Sequence, residues 1–221
     1  MTTELTLRIF SGSPSVLRER KYFMSDLKRT AAVHRITGET DIDLTLNLDG
    51  SGKTEIDTGI GFFDHMLNNF ARHGLFDLTI KAKGDLYVDC HHLVEDTGIV
   101  LGHAIKEAVG DKKSIKRYGS CILPMDEALM LCSLDLSGRP YFVSDFSFSG
   151  EKCGYFDTAM TKEFFYAVSY SSMMNLHFKQ FSGTNDHHII EIAFKSFAKS
   201  LDAATMIDDR ITNVLSTKGT L

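Results

Sequence analysis

Apolar and polar residues alternate through Asp41-Ile42-Asp43-Leu44-Thr45-Leu46-Asn47-Leu48. A period of two describes a strand with one buried face. Asp49-Gly50-Ser51-Gly52 then stops it with a run of turn formers. The pattern predicts a hairpin that returns through Lys53–Ile56. The period next lengthens, and Phe63, Met66, Leu67 and Phe70 fall on one face of a helix over Phe62–Arg72, with His73-Gly74 as its stop signal. Leu75–Ala82 returns to strand. Residues 91–109 form a long helix with Val94, Leu101, Ile105 and Ala108 facing inward, closed by Gly110.

The same order then recurs. Leu129–Leu136 and Tyr141–Phe148 are predicted strands, Glu163–Met173 a helix, Leu176–Phe181 a strand and His187–Ala204 a helix. Strand, strand, helix, strand, helix occurs twice without a flexible linker, which predicts an α+β protein of two similar half-domains in tandem. The divisions are residues 29–118 for the first half and 119–221 for the second, which ends in a substrate-binding tail. Residues 1–28 are expected to be a poorly ordered arm. Its first 23 residues carry Arg18, Arg20 and Lys21 but no apolar core for a secretory signal, and Glu4 and Glu19 fit poorly with a transit peptide.

Composition narrows the class. The 221 residues are 43% hydrophobic and 24% charged, as in an ordinary globule. No apolar run approaches the ~18 residues of a membrane span. A net charge of −5 argues against a general nucleic-acid partner, which needs a basic face. The four cysteines form no CxxC pair, so reduced thiols and a cytoplasmic location are expected. A chain of this size needs no metal staple to fold, so any metal site in it serves function.

The candidate chemistry lies among the nine histidines. His91-His92-Leu93-Val94-Glu95 in the first half matches His187-His188-Ile189-Ile190-Glu191 in the second. Residues i and i+4 share a helix face, so His91 with Glu95, and His187 with Glu191, can each grip one cation. His92 and His188 point about 100° away around the helix. His65 and His177 sit on apolar elements. Six imidazoles and two carboxylates suit Zn, Fe, Mn, Co or Ni better than Ca or Mg, and divide evenly into two sites of three His and one Glu. Pseudo-symmetry would let each site take the pair of one half and the offset His of the other. One such motif alone is weak, since paired histidines at a helix start are often only surface caps; two equivalent copies are much stronger. His34, His73 and His103 are expected to be ordinary structural residues.

Arg117, Arg139, Lys195 and Lys218 form a second, basic set, and forked guanidiniums and lysine ammoniums are how proteins hold phosphate. Each alone is more simply a solvated charge. Ser216-Thr217-Lys218-Gly219 carries more weight, because a hydroxyl, backbone amides and a lysine together make an anion nest. Glu39 enters a strand and is either an exposed edge residue or an acid/base.

In these residues the chain resembles the imidazoleglycerol-phosphate dehydratase family. The matching text includes Arg35-x-Thr37-x-Glu39-Thr40, Thr58-Gly59-Ile60-Gly61-Phe62-Phe63-Asp64-His65, the first HHxxE copy with Asp96, and Pro124-Met125-Asp126-Glu127-Ala128. Asp135-Leu136-Ser137-Gly138-Arg139-Pro140, Gly183-x-Asn185-x-His187-His188 and the Ser-Thr-Lys-Gly tail complete it. The resemblance spans residues 29–221 and leaves out 1–23. It implies two four-stranded sheets, each with two helices, the helices packed between the sheets. It implies dehydration of D-erythro-imidazoleglycerol phosphate to imidazoleacetol phosphate in histidine biosynthesis, through a metal-bound imidazolate. It further implies two manganese ions per active site, held by His65, His91, His92, Glu95, His177, His187, His188 and Glu191, and a homo-oligomer of 24 subunits with metal sites completed between subunits. Carried over, Glu39 is the acid/base, and Arg117, Arg139, Lys195, Ser216 and Lys218 bind the phosphate. The chain departs from the pattern at Leu93, Asn68 and Leu215, none of which removes a ligand. The rival enzyme reading is a two-metal hydrolase of a phosphorylated metabolite; the non-enzymatic rival is a metal-storage protein.

Overall fold

The computed structural model describes residues 29–221, so the arm expected over 1–28 lies outside the described residues. One sheet holds β1 (Thr30–Ile36), β2 (Thr40–Asn47), β3 (Thr54–Asp57) and β4 (Asp77–Gly84) in the order β1-β2-β4-β3. The other holds β5 (Tyr118–Met125), β6 (Ala128–Asp135), β7 (Tyr141–Val143) and β10 (Asn175–Ser182) in the order β5-β6-β10-β7. A two-stranded ribbon, β8 (Lys152–Cys153) with β9 (Phe156–Asp157), lies between β7 and β10 in sequence. In each large sheet three strands are antiparallel and the last edge strand is parallel to its neighbour. The duplication read from the residues is therefore a duplication of topology.

A parallel pair needs a crossover. Helix α1 (Gly61–Gly74) supplies it between β3 and β4, and α3 (Met160–Ser172) between β7 and β10. Helix α2 (His91–Val109) covers β1 and β2, and α4 (Asp186–Thr205) covers β5 and β6. Between the sheets α2 packs on α3 and α1 on α4, so helices of opposite halves meet. Phe63 of α1 meets Phe164 of α3 edge-on at 5.4 Å, and Phe70 of α1 stacks on Phe197 of α4 at 5.4 Å. All four rings are buried. Exposing each would cost roughly 1.5–3 kcal/mol, so the two halves form one core.

The structure revises three expectations. Lys53–Ile56 does not return as a hairpin: β3 pairs in parallel with β4. The cause is Asp77 at the start of β4, whose carboxylate accepts the Ser51 and Lys53 amides at 2.8 and 3.0 Å and pulls the turn across the sheet. The strand expected over Tyr141–Phe148 ends at Val143, after which Asp145 accepts the Gln180 amide at 2.8 Å outside any ladder. Strands β1 and β5 and the β8–β9 ribbon were not anticipated from the residue pattern. At the end of α1 the left-handed residue is Leu75 (φ 59°), not Gly74. Gly74 is required for space, since a Cβ there would lie 2.2 Å from the Phe76 ring.

Candidate active site

Both HHxxE copies open a helix, and each is capped from two residues upstream. Asp89 accepts the His91 amide at 2.7 Å, and Asn185 accepts the His187 amide at 3.0 Å. These caps satisfy an amide that the first helical turn leaves open. One turn along, His91 Nε2 is 3.3 Å from Glu95 Oε2, and His187 Nε2 is 3.0 Å from Glu191 Oε2. The second histidine of each pair turns away, as helical rotation requires. His92 Nδ1 bonds Asp85 at 3.0 Å and His188 Nδ1 bonds Glu127 at 2.7 Å. A carboxylate on Nδ1 keeps the proton there and leaves the Nε2 lone pair for a cation. The same bonds raise both imidazoles above their ordinary pKa, and three N–H donors from His188, Asn185 and Thr184 hold Glu127 down at about 2.

The most complete cluster crosses the halves. His65 of α1 places Nε2 3.3 Å from Glu191 Oε2, so His65, His187 and Glu191 converge with donor atoms within 4.8 Å of one another. Phe62 buttresses His187 edge-on at 5.0 Å. Lys195, one turn beyond Glu191, puts its ammonium 2.6 Å from Oε1. Burial opposes charge on Glu191, yet Lys195 and His65 hold its carboxyl below the usual range. Two imidazoles and one ionised carboxylate fit a first-row divalent ion. A histidine of the first half thus lies beside the His/Glu pair of the second.

This arrangement is not repeated at His91 and Glu95. His177 lies on the outward face of β10, stacked on Tyr141 at 6.2 Å. Aligning the left-handed ends of α1 and α3, Leu75 and Met173, sets Glu163 opposite His65, so the second half has no histidine at that position.

Glu39 stands in the β1–β2 turn with Oε2 3.8 Å from His92 Nδ1. The rest of its motif holds that turn. Thr37 Oγ1 accepts the amides of Glu39 and Thr40 at 3.1 and 3.0 Å, Thr40 Oγ1 donates to Asp96 on α2, and Arg35 pairs with Asp96 at 3.0 Å. Sequence reasoning gave Arg35, Thr37, Thr40 and Asp96 no role; their spacing in the motif was the available signal.

The basic residues divide. Arg117 is nearly buried, with Nε and Nη2 on Asp135 at 2.7 and 3.0 Å and Nη1 on the Leu215 carbonyl at 2.6 Å. Three of its five N–H groups are so engaged, and it ties the tail to the second sheet. Ser216 Oγ accepts the Lys218 amide at 3.2 Å. Arg139 is exposed after Gly138 (φ 76°), where an added Cβ would lie 3.4 Å from the ammonium of a half-buried Lys112, missed from sequence. Lys112, Ser114 and Arg117 all have φ near +60–70° without being glycine, a concentration of backbone strain typical of functional segments. Lys195 sits instead beside Glu191.

A duplicated α+β scaffold whose helices open on His/Glu pairs, beside a carboxylate with no hydrogen bond among the described residues, fits an enzyme with a candidate metal centre that acts on a small molecule. Comparison with known proteins agrees. The family model described as imidazoleglycerol-phosphate dehydratase matches residues 58–201. Proteins of that name from Lachnoclostridium phytofermentans and Acetivibrio thermocellus are 64% and 60% identical over 195 residues, covering 88% of this chain and 100% of each relative. The solved dehydratase of Staphylococcus aureus superposes with a TM-score of 0.74 at 38% identity over 81% of this chain and 99% of its own. That of Pyrococcus furiosus gives 0.75 at 40% identity over 86% and 100%. The chain belongs to the imidazoleglycerol-phosphate dehydratase family, hydro-lyases of histidine biosynthesis. The two-metal hydrolase reading is not favoured.

Proposed function

We propose that this chain dehydrates D-erythro-imidazoleglycerol phosphate to imidazoleacetol phosphate, with two manganese ions per active site held by the six histidines and two glutamates named above. The observation that carries the reading is the convergence of His65, His187 and Glu191 across the two halves. Three His and one Glu leave open positions on a six-coordinate ion, which favours manganese over closed tetrahedral zinc. Ions held there would favour the deprotonated form of the substrate's imidazole ring, which can release the hydroxyl from the attached carbon and then accept the electron pair left when the neighbouring carbon loses its proton.

The rest is done by protein groups. Glu39 takes the proton from the neighbouring carbon as general base. Arg117, Arg139, Lys195, Ser216 and Lys218 hold the phosphate, whose binding energy fixes the reacting carbon in place.

His177 faces outward among Tyr118, Ile122, Tyr141 and Val143, all exposed. That apolar face supports assembly of copies, in which His177 reaches a neighbour's site; the proposed state is a 24-subunit homo-oligomer. No helix of the described residues is long and apolar enough to cross a membrane, and the proposed location is the cytoplasm. A division at residues 118 and 119, with the tail closing the second half, belongs to the same proposal. The test supplies imidazoleglycerol phosphate with Mn²⁺ and follows a ketone product with phosphate retained. Release of free phosphate overturns the reading, and near-normal turnover by Glu39→Gln removes Glu39 from the mechanism.

A further inference from the structure

The two halves hold the second histidine of each pair in different ways. In the second half the β5–β6 turn supplies the holder: Glu127 bonds His188 Nδ1 at 2.7 Å and also accepts the Thr184 and Asn185 amides at 3.1 and 2.8 Å. The matching β1–β2 turn in the first half carries Glu39, and its carboxylate makes no hydrogen bond among the described residues. His92 Nδ1 is held instead by Asp85, at 3.0 and 3.2 Å to its two oxygens, with Glu39 left at 3.8 Å. Asp85 follows directly on β4. The residue directly after β10 is Gly183, where a Cβ would lie 2.7 Å from Ile189 Cγ1 and 3.2 Å from Ala128 Cβ. No side chain fits there, so the second half must use its turn carboxylate.

We infer that Asp85 is a positioning residue that relieves Glu39 of holding His92, so that one copy of a duplicated turn carboxylate is free for proton transfer while the other, Glu127, stays structural. The inference rests on Glu39 as the base, but its central claim, that either carboxylate can hold His92, is separately testable. The Asp85 amide donates to the Glu39 carbonyl at 3.2 Å, so the two segments are already joined and a small side-chain rotation brings Glu39 onto Nδ1.

The experiment is a double-mutant cycle of Asp85→Asn and Glu39→Gln in the full chain. The readouts are Mn²⁺ affinity by calorimetry of metal-stripped protein, melting temperature, and kcat with KM. Loss of a carboxylate behind a ligating histidine typically costs 10–100-fold in metal affinity. Glu39→Gln should leave Mn²⁺ affinity within about twofold. Asp85→Asn should lower it by less than about threefold, because Glu39 moves in, while kcat falls at least about tenfold with KM nearly unchanged. The double variant should lose the full 10–100-fold, and Asp85→Glu should restore kcat in part. If Asp85→Asn alone lowers Mn²⁺ affinity as far as the double variant does, or the double variant is no worse than the singles, the inference is wrong. If the affinity cycle holds but Glu39→Gln turns over normally, only the assignment of the base fails.

Discussion

Arg35 places Nη2 3.0 Å from Asp96 Oδ1, joining the β1 strand to helix α2 one residue past Glu95. Asp96 is buried and also accepts the Thr40 hydroxyl. Removing it strands both partners, and an uncompensated buried charge or donor is expensive. Because Arg35 is about one-third exposed, the full cost of breaking a buried pair is not reached. Asp96→Ala is expected to lower unfolding free energy by about 2–3 kcal/mol, read from urea denaturation. It should lower kcat as well, since Thr40 adjoins Glu39. An unchanged midpoint would mean that the network carries no stability.

The α2–α3 contact gives a prediction in which two effects oppose each other. Replacing a mid-helix glycine by alanine favours the helix by about 1 kcal/mol. A Cβ at Gly98, however, would stand 2.7 Å from the Phe164 carbonyl oxygen, and one at Gly102 2.8 Å from that of Val168. Backbone cannot step aside as a side-chain tip can, and overpacking costs about 1–3 kcal/mol. Gly98→Ala and Gly102→Ala should therefore each lower the melting temperature. A rise in either would show that the helices part without penalty.

The duplication, the helices and the facing of His91 with Glu95 and of His187 with Glu191 were legible because they depend on local period and on i, i+4 spacing. The β3 placement was not, because it depends on Asp77 capturing amides more than twenty residues away. Strand β5 was hidden by the absence of alternation in Tyr118-Gly119-Ser120-Cys121, where Gly119 is buried against the Ser200 carbonyl instead of presenting an apolar side chain. The site was half legible. Composition and spacing name His65 and Glu191, but only the crossing of α1 and α4 brings them within 3.3 Å. The holders Asp85 and Glu127 carried no periodic signal, being turn residues chosen by where the strands end.

Glu127 gives a pH dependence with a definite sign. Its carboxyl is depressed to about 2 from an ordinary 4.5, so its contribution to stability is fully present above pH 4.5 and is lost as pH falls toward 2. His188 is raised by the same bond, so its contribution is present below about pH 6.5 and fades as pH rises through the folded value. Melting of metal-stripped wild type and Glu127→Gln should differ most near pH 5–6 and converge toward pH 2–3. A gap independent of pH would dissociate this ion pair from stability.

His177 allows the proposed sharing of sites between subunits to be tested directly. Within one chain it stacks on Tyr141 on the outer face of β10, whereas His91 and Glu95 lie on α2 between the sheets. If His177 of one copy completes the His91–Glu95 site of another, His177→Ala and His91→Ala should each lose most metal and activity alone. Dissociating the two variants, mixing them and reassembling with Mn²⁺ should then restore part of both, because some sites receive an intact His177 from one subunit and an intact His91 from the other. The recovered fraction should rise toward a maximum at equal mixing. Absence of recovery in a reassembled hybrid would place His177 outside the metal site, as a residue of the interface alone.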